Sequence, residues 1–249
     1  MKTILITGCS SGFGLEIARA FLARDWRVIA TMRSPRTDLL PASERLRVLA
    51  LDVTDAQSIR QAVEAAGPVD VLVNNAGFGI ASPAELVPLD AVRAVFETNT
   101  FGTIALTQAV LPQFRARGAG VVVNVTSSVT LKPLPLVAAY RASKAAVNAF
   151  TESMAVELEP LGIRVHLVLP GRSPETRFAA SARERMIGFD HPAYADFVKT
   201  ALERMLDAAA PTTRSQDVVE AVWRAATDAS APLRIPAGAD AVAWAAEAR

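Results

Sequence analysis

Several residue types are scarce in this chain, and each shortage argues against a class of protein. A single cysteine, Cys9, cannot form a disulfide within the chain, which excludes an internal disulfide framework and favours a reduced, cytoplasmic setting. The 26 basic and 25 acidic residues nearly cancel, and no block of one sign is present to follow a nucleic acid backbone. The apolar runs are too short to span a membrane, and we interpret Met1 to Thr7 as a strand rather than a signal peptide. We therefore expect no nucleic acid partner and no membrane span.

Histidine is equally scarce, which limits the candidates for acid–base or metal chemistry. Of the two histidines, His166 lies in a predicted strand and His191 in a loop next to proline, so we interpret both as structural. Cys9 lies within a glycine loop, where a small side chain packing under a turn explains it without redox chemistry. The sequence predicts no metal site.

What the chain does have is a regular alternation of short apolar runs and helical spans. Its 249 residues, 51% of them hydrophobic, are enough for one α/β domain over residues 1–249. The predicted strands are Ile4–Ile6, Arg27–Thr31, Arg47–Leu51, Val69–Val73, Val121–Val125 and Arg164–Leu169, with a seventh near Leu233–Pro236. The predicted helices are Leu15–Leu22, Ala56–Ala66, Leu89–Arg117, Tyr140–Leu158 and Val218–Thr227. This alternation predicts a Rossmann-like, doubly wound parallel α/β sheet of about seven strands with helices on both faces.

The segment 171–211 breaks the alternation. It follows the sixth predicted strand, at the edge where open α/β sheets bind ligands, and contains two helix-like stretches, Arg177–Ile187 and Ala193–Ala209. We interpret this segment as a substrate lid. The apolar side chains available to cover a lipophilic substrate, or to pack the lid on the sheet, are Phe178, Met186, Ile187, Phe189, Tyr194 and Phe197.

A glycine loop joins the first strand to the first helix, in the run Thr7-Gly8-Cys9-Ser10-Ser11-Gly12-Phe13-Gly14. Glycine lets the chain turn sharply and brings backbone N–H groups close to a ligand, while the helix directs its positive end at an anion such as a pyrophosphate. The spacing T-G-x-x-x-G-x-G differs from G-x-G-x-x-G and is also compatible with a turn that binds nothing. We predict dinucleotide binding at this loop.

Tyr140 and Lys144 are four residues apart, so in a helix they share a face. A free tyrosine ionises near pH 10, and about 4 kcal/mol of preferential stabilisation of the phenolate would bring its pKa to neutrality. An ammonium and an oxidised nicotinamide would each supply part of that stabilisation. Such a tyrosine could donate or accept a proton at neutral pH. A solvated Tyr–Lys pair on a helix surface is the alternative.

Further polar motifs follow the predicted strands. Asn74-Asn75-Ala76-Gly77 follows the fourth and Asn124-Val125-Thr126-Ser127-Ser128 the fifth, and Asn99 lies in the long helix between them. With the glycine loop and Tyr140-Arg141-Ala142-Ser143-Lys144, these motifs resemble, in order and spacing, the single-domain branch of the short-chain dehydrogenase/reductase family. The resemblance extends over essentially the whole chain.

The resemblance implies a catalytic set of four residues. Tyr140 would be the general acid or base, and Ser127, thirteen positions before it, would donate a hydrogen bond to the substrate oxygen in preference to Ser128. Lys144 would hold the nicotinamide ribose hydroxyls and depress the pKa of Tyr140, and Asn99 would support a water in the proton relay. Because hydride and proton move to or from the two ends of a C–O bond, an acid, an oxygen partner and a nicotinamide are all required.

The resemblance also implies the residues that bind the cofactor, which are Gly8, Ser10, Ser11, Gly12, Phe13, Gly14, Arg33, Asp52, Val53, Asn75, Ala76, Gly77, Tyr140, Lys144, Pro170 and Gly171. Among them, residues 75–77 would pack beside the adenosine, residues 52–53 would contact the adenine, and residues 170–171 would lie beside the nicotinamide. After Gly171 the chain departs from the family pattern, with Glu175 where a threonine is usual and Thr176 one position later. The cofactor contact of Thr176 is therefore left open.

The end of the second strand favours NADP(H) over NAD(H). Enzymes of this fold that use NAD usually place an acidic residue there, where it would repel a 2′-phosphate. This chain has Met32 at that position, followed by Arg33, whose guanidinium can grip a phosphate, and Ser11 can add a hydrogen bond. Solvation of a surface loop by Arg33 and Arg36 is the alternative. Changing Met32 to Asp and Arg33 to Ala is expected to shift the preference toward NADH.

These residues predict an NADP(H)-dependent oxidoreductase that transfers a hydride between nicotinamide and a carbonyl or secondary alcohol. Similarity of the loop and second-strand region to steroid- and retinol-type members favours a lipophilic substrate. The alternative is an NADP(H)-binding regulatory protein without turnover. The resemblance also implies a homodimer or homotetramer built on the helices Leu89–Arg117 and Tyr140–Leu158, with a seam near Ala146, Val147, Phe150 and Met154.

Overall fold

The computed structural model describes residues 1–174, 176, 181, 184–205 and 209–248. Its strands are β1 (Thr3–Ile6), β2 (Arg27–Met32), β3 (Leu46–Ala50), β4 (Val71–Asn74), β5 (Gly120–Val125), β6 (Ile163–Pro170) and β7 (Arg234–Ala237). They pair in parallel in the order β3-β2-β1-β4-β5-β6-β7. The Val, Ile and Leu side chains of β1, β4 and β5 are buried, as expected for strands covered on both faces.

Helices cover both faces of the sheet. They are α1 (Gly12–Ala23), α2 (Ala56–Ala66), α3 (Leu89–Phe96), α4 (Gly102–Arg117), α5 (Ala138–Leu158), α6 (Ala195–Met205), α7 (Ser215–Thr227) and α8 (Ala239–Glu247). Helices α1 and α7 pack on one face and α2, α4 and α5 on the other. Within the described residues, none of these helices is both long and apolar enough to cross a membrane. The predicted Rossmann-like, doubly wound sheet is confirmed.

The strand order indicates where on the sheet a ligand would bind. Strands β2 and β3 lie on one side of β1, and the chain then crosses over so that β4 pairs with the other side of β1. In open α/β sheets a crevice forms beyond the carboxyl ends of the strands at such a reversal. The glycine loop follows β1 and the Asn75–Gly77 motif follows β4, so both lie at this crevice.

The predicted helix Leu89–Arg117 is wrong in one respect, because the structure divides it. A single π-helical turn, Glu97–Phe101, separates α3 from α4, and the N–H of Gly102 donates to the carbonyl of Glu97. The backbone stays in the right-handed helical region through the turn, so the apolar periodicity on either side gives little sign of the extra residue. Helix α8 was not predicted at all.

The predicted lid helix Arg177–Ile187 falls largely on residues 177–180 and 182–183, which include Phe178 and lie outside the described residues, as does Glu175. Where the description resumes, the prediction is wrong, because Met186 forms a parallel bridge with Ala81. The N–H of Ile187 donates to the carbonyl of Ala81 at 3.0 Å. This part of the lid is therefore fastened to the loop after β4.

The second predicted lid helix, Ala193–Ala209, is present in part. Helix α6 begins at Ala195 and is described as far as Met205, and residues 206–208 lie outside the described residues. Its buried residues Val198 and Ala201 pack against Leu136, which precedes the catalytic-motif helix α5. Leu136 has a positive φ of 65°, a conformation that costs a branched side chain energy and is seen where the surroundings enforce it.

Candidate active site

The glycine loop has the shape that a pyrophosphate needs. Gly8 and Gly12 have positive φ values of 73° and 57°, which side chains with a Cβ rarely adopt. A Cβ on Gly14 would lie 2.4 Å from the carbonyl oxygen of Gly8, so only glycine allows the helix to start this close to the loop. Ser11 is the N-cap of α1, and the first turn of α1 contains no acidic residue, so its positive end is available to an anion.

Asn75 clamps the glycine loop to the end of β4. Its Nδ2 donates to the carbonyl of Thr7 at 2.8 Å, and its own N–H donates to the Thr7 hydroxyl at 2.9 Å. The N–H of Ala76 also donates to that hydroxyl, at 2.8 Å. Three hydrogen bonds therefore join the end of β1 to the end of β4 across the crevice.

A cleft of about 520 Å³ opens over the glycine loop. Its walls include Ser10, Ser11, Gly12, Arg36 and Thr176. Thr176 is buried, and its Cβ lies 3.7 Å from where a Cβ on Gly12 would stand. The residue whose cofactor contact the sequence left open is thus at the loop, in spite of the shifted spacing after Gly171.

Ser127 and Tyr140 are joined by a hydrogen bond between their side chains. Ser127 follows β5 and its Oγ also accepts from the N–H of Val129 at 3.3 Å, while Tyr140 lies in the first turn of α5. Burial raises the pKa of Tyr140 to about 12, and the hydrogen bond from Ser127 lowers it by less than burial raises it. That Lys144 depresses the pKa of Tyr140 beside a bound nicotinamide stays a prediction. The phenol is neutral at pH 7 and holds a proton that it can donate.

Lys144 is buried one turn after Tyr140. Its Nζ donates to the carbonyl of Val125 at 3.0 Å and lies 3.3 Å from where a Cβ on Gly77 would stand. Burial lowers the pKa of Lys144 from 10.5 to about 8. The ammonium is therefore largely protonated at pH 7, and it lies beside Gly77, whose backbone is exposed in the crevice.

Asn99 lies in the π-helical turn and is fully buried. Its Oδ1 accepts from the N–H of Phe78 at 3.0 Å, and its Nδ2 donates to the Phe78 carbonyl at 2.9 Å and to Ser143 Oγ at 3.1 Å. Ser143 Oγ in turn donates to the carbonyl of Tyr140 at 2.7 Å. The side chain of Asn99 therefore ties the backbone after Gly77 to the Tyr140 turn, and its support of a relay water stays a prediction.

A buried ladder of amides and hydroxyls holds the two strands that carry these residues. Asn74 Nδ2 donates to Asn124 Oδ1 at 2.8 Å and to Thr107 Oγ1 at 2.9 Å, and Asn124 Nδ2 donates to Thr151 Oγ1 at 2.8 Å. Thr107 belongs to α4 and Thr151 to α5, so the ladder joins β4 and β5 to both helices. Polar groups buried in a satisfied network fix relative positions more strictly than apolar packing does.

The Pro170–Gly171 turn is locked by residues that the sequence did not single out. Asp240, buried in the first turn of α8, accepts from the N–H of Arg172 at 2.6 Å and from Thr213 Oγ1 at 2.7 Å. Thr213 Oγ1 also accepts from the N–H of Gly171 at 2.9 Å. A Cβ on Gly171 would lie 2.1 Å from both carboxylate oxygens, so the turn requires glycine. This contact joins segments that are distant in the sequence, so local sequence patterns could not predict it.

The residues around the predicted adenosine site lie at the ends of β2 and β3. Asp52 accepts from the N–H of Thr54 at 2.9 Å, and hydrogen bonds from Thr54 lower its pKa, with a smaller contribution from the charge of Arg33. Arg33 is exposed, whereas Met32 is 3% exposed and belongs to the core. An Asp at position 32 would therefore be buried, which makes the double change proposed from the sequence a poor test of cofactor choice.

The structure thus brings the predicted site residues to one edge of the sheet. Ser127, Tyr140, Lys144 and Asn99 lie within one connected group with the 75–77 motif, which Asn75 joins to the glycine loop. Two contacts were missed by sequence reasoning, the Asp240–Thr213 lock and the position of Arg36 in the cleft. Val147 and Met154, predicted for a subunit seam, are buried inside the chain's own fold, whereas Phe101 in the π-helical turn and Val156 on α5 are exposed.

Comparison with known proteins shows the family to which the chain belongs. A family model described as short chain dehydrogenase matches residues 2–187. The uncharacterized oxidoreductase YusZ of Bacillus subtilis is 38% identical over 250 residues, covering 95% of this chain and 89% of that protein. Retinol dehydrogenase 8 of Homo sapiens is 41% identical over 182 residues, covering 68% of this chain and 58% of that protein.

Solved structures share the fold, and two of the three described below hold a nicotinamide nucleotide. A short-chain dehydrogenase from Streptomyces avermitilis has a TM-score of 0.85 at 34% identity, covering 99% of this chain and 91% of its own. One from Burkholderia cenocepacia in complex with NADP has a TM-score of 0.78 at 27% identity, covering 99% and 93%. The 3-ketoacyl-(acyl-carrier-protein) reductase of Brucella melitensis, complexed with NADH, has a TM-score of 0.77 at 26% identity, covering 94% and 96%. Similar structures therefore hold either cofactor.

Proposed function

The chain belongs to the short-chain dehydrogenase family of oxidoreductases, and on that premise we propose that it is an NADP(H)-dependent carbonyl reductase or alcohol dehydrogenase. The observation that carries this proposal is the hydrogen bond between Ser127 and Tyr140 with Lys144 one turn away, at the same sheet edge as a glycine loop shaped for a pyrophosphate. When bound, the nicotinamide would supply or accept the hydride. Gly8, Gly12 and the N-terminus of α1 fit its pyrophosphate because they offer backbone N–H groups without side-chain obstruction.

In the direction of reduction, hydride adds to the carbonyl carbon and Tyr140 donates its proton to the carbonyl oxygen. Ser127 donates a second hydrogen bond to that oxygen and stabilises the negative charge that develops there. Lys144 carries a positive charge at pH 7 and would stabilise the tyrosinate left behind, while holding the ribose hydroxyls beside Gly77. Asn99 keeps the Tyr140 turn and the backbone at Phe78 in fixed relation, and we propose that it also supports a relay water.

We propose that NADP(H) is preferred because two arginines lie on the adenosine side of the site. Arg36 lines the cleft beside Ser10 and Ser11, and Arg33 lies close enough to Asp52 to lower the pKa of that carboxyl. Arg36 now pairs with Asp38 at 2.6 Å and would exchange this exposed partner for the 2′-phosphate. A guanidinium binds a phosphate through two parallel hydrogen bonds, which a 2′-hydroxyl cannot match.

Removing either arginine should therefore weaken NADPH more than NADH. We expect Arg33→Gln and Arg36→Gln each to raise the KM for NADPH by roughly tenfold, since a charge-assisted hydrogen bond contributes about 1.5–3 kcal/mol, and to leave the KM for NADH within a factor of about two. The measurement is the ratio of kcat/KM for the two cofactors. Arg115→Gln removes a charge at the opposite edge of the sheet and should leave the ratio unchanged. A ratio that neither cleft variant alters would contradict the NADP(H) assignment.

The direct test of the proposed function is oxidation of NADPH with aldehydes, cyclic ketones and larger lipophilic ketones. A lipophilic substrate is proposed because the wall beside Tyr140 contains Phe78, Ile80, Val129 and Val137. Turnover of any of these carbonyls would establish a reductase. Tight NADPH binding without turnover across the panel would instead favour the regulatory alternative. A cytoplasmic homodimer or homotetramer, one domain over 1–249 and a lid over 171–211 stay predictions.

A further inference from the structure

An arginine of the lid, Arg185, lies over the wall of the proposed substrate site. Its guanidinium carbon is 4.9 Å from the centre of the Phe78 ring. Phe78 follows Gly77 directly, has both backbone polar groups bound by Asn99, and shares an apolar cluster with Tyr140. A cation placed on the lid above this ring stands at the edge of the space where a substrate would meet the tyrosine.

Hydrogen bonds hold both the backbone and the side chain of Arg185 in place. Its carbonyl accepts from the N–H of Ala81 at 3.4 Å, and the bridge between Met186 and Ala81 follows immediately. On the side chain, Nη1 donates to the carbonyl of Ser181 at 2.9 Å and to the Ser181 hydroxyl. These contacts fix one edge of the guanidinium and direct the group over Phe78.

The other edge of the guanidinium carries hydrogen-bond donors, Nε and Nη2, that are available to a ligand. Among the residues that the structure describes, no carboxylate pairs with Arg185, and neither its Nε nor its Nη2 forms a hydrogen bond. Other cations nearer the surface do have such partners, as Lys132 has Glu247 and Arg36 has Asp38. Arg185 is half-buried, so its charge acts in a setting less screened than open water.

We propose that Arg185 recognises a carboxylate on the substrate, so that the preferred carbonyl compounds are oxo acids with an apolar body. The proposal rests on the proposed reductase function. The apolar wall formed by Phe78, Ile80 and Val137 would hold the chain between the two polar ends. Tyr140 and Ser127 would bind the carbonyl at one end, and Nε and Nη2 of Arg185 would bind the carboxylate at the other through paired hydrogen bonds.

The experiment compares straight-chain methyl ketones that end in a carboxylate with their methyl esters, over a series of chain lengths. We expect the wild type, at its best length, to show a kcat/KM for the acid roughly tenfold to a hundredfold above that for the ester. Arg185→Gln should abolish this preference by raising the KM for the acid, with the ester unaffected, and Arg185→Lys should restore part of it. Lys199→Gln, which removes an exposed charge from α6 of the same lid, should keep the preference.

A binding measurement tests the carboxylate site independently of turnover. The affinity of the same acids and esters for the Tyr140→Phe variant loaded with NADPH is measured by calorimetry. Tighter binding of an acid that Arg185→Gln removes supports the carboxylate site even if the wild type turns over none of the series, in which case the reductase function fails alone. Equal affinity for acid and ester at every length, or binding of neither, overturns the proposal. An Arg185→Gln variant that loses both ligands equally also overturns it, because the arginine would then only brace the lid.

Discussion

Replacing Tyr140 with Phe is expected to lower kcat for carbonyl reduction by about 10³-fold, within the range that general acid catalysis contributes. The change removes one hydroxyl from a buried side chain and leaves the ring that packs with Ile80 and Val95. Burial keeps the pKa of Tyr140 at about 12, so the group removed is the proton donor itself. The measurement is single-turnover oxidation of NADPH with the best ketone of the panel.

The second tyrosine of the chain provides the matched control. Tyr194 lies on the lid side, and its hydroxyl donates to Glu85 at 2.5 Å at the surface. Tyr194→Phe removes the same atom from an exposed pair, so we expect a loss of less than about tenfold, the scale of one ordinary hydrogen bond. NADPH affinity, followed by fluorescence titration, should stay within a factor of about three in Tyr140→Phe. Comparable losses in the two variants would show that Tyr140 does not carry the proton.

Much of the fold was predictable because its signals are local. The strands that bury both faces are near-continuous runs of Val, Ile and Leu, and each is followed by a helical span, so the alternation alone specifies a parallel sheet. The glycine loop was predictable for the same reason, since Gly8, Gly12 and Gly14 fill positions where backbone conformation or close approach requires glycine. Strand and helix ends shifted by one to three residues, as β4 did, because packing decides them.

The site was predictable only as a set of residues, since its geometry depends on contacts between distant segments. Asp240 reaches the Pro170–Gly171 turn from α8, a helix that the sequence did not predict. The π-helical turn that buries Asn99 leaves almost no trace in the apolar periodicity. The rise in the pKa of Tyr140 depends on how deeply folding buries the phenol, and desolvation exceeds any stabilisation that its neighbours provide before a cofactor is bound.

Replacing Lys144 with Met is expected to lower kcat/KM by at least about 10²-fold. Without the ammonium, the tyrosinate formed during reduction lacks its nearest cationic neighbour and the ribose hydroxyls lack their donor. We expect both a raised KM for NADPH and a lowered kcat. Lys199→Met, which changes an exposed lysine of α6, should alter neither parameter. A variant with normal kcat and only a raised KM would assign Lys144 to cofactor binding alone.

The same variant is expected to be more stable than the wild type at pH 7. Burial holds the pKa of Lys144 at about 8 in the folded chain, against 10.5 when exposed, and this difference corresponds to roughly 3 kcal/mol of destabilisation, at about 1.4 kcal/mol per pH unit. Loss of the hydrogen bond to Val125 offsets about 1 kcal/mol of the gain. Between pH 8 and 10.5 the unfolded wild type binds more protons than the folded one, so wild-type stability rises with pH.

The free energy of unfolding in urea, measured without cofactor at pH 7 and at pH 10, should therefore show an advantage for Lys144→Met of about 1–2 kcal/mol that shrinks as the pH increases. Taking the difference between variant and wild type removes the contribution of groups that titrate alike in both, including Tyr140. A difference that does not change with pH would mean that the buried ammonium is not the source. The expected result would mean that the buried charge of Lys144 lowers the stability of the fold while the proposed reaction requires it, so the residue serves catalysis and not stability.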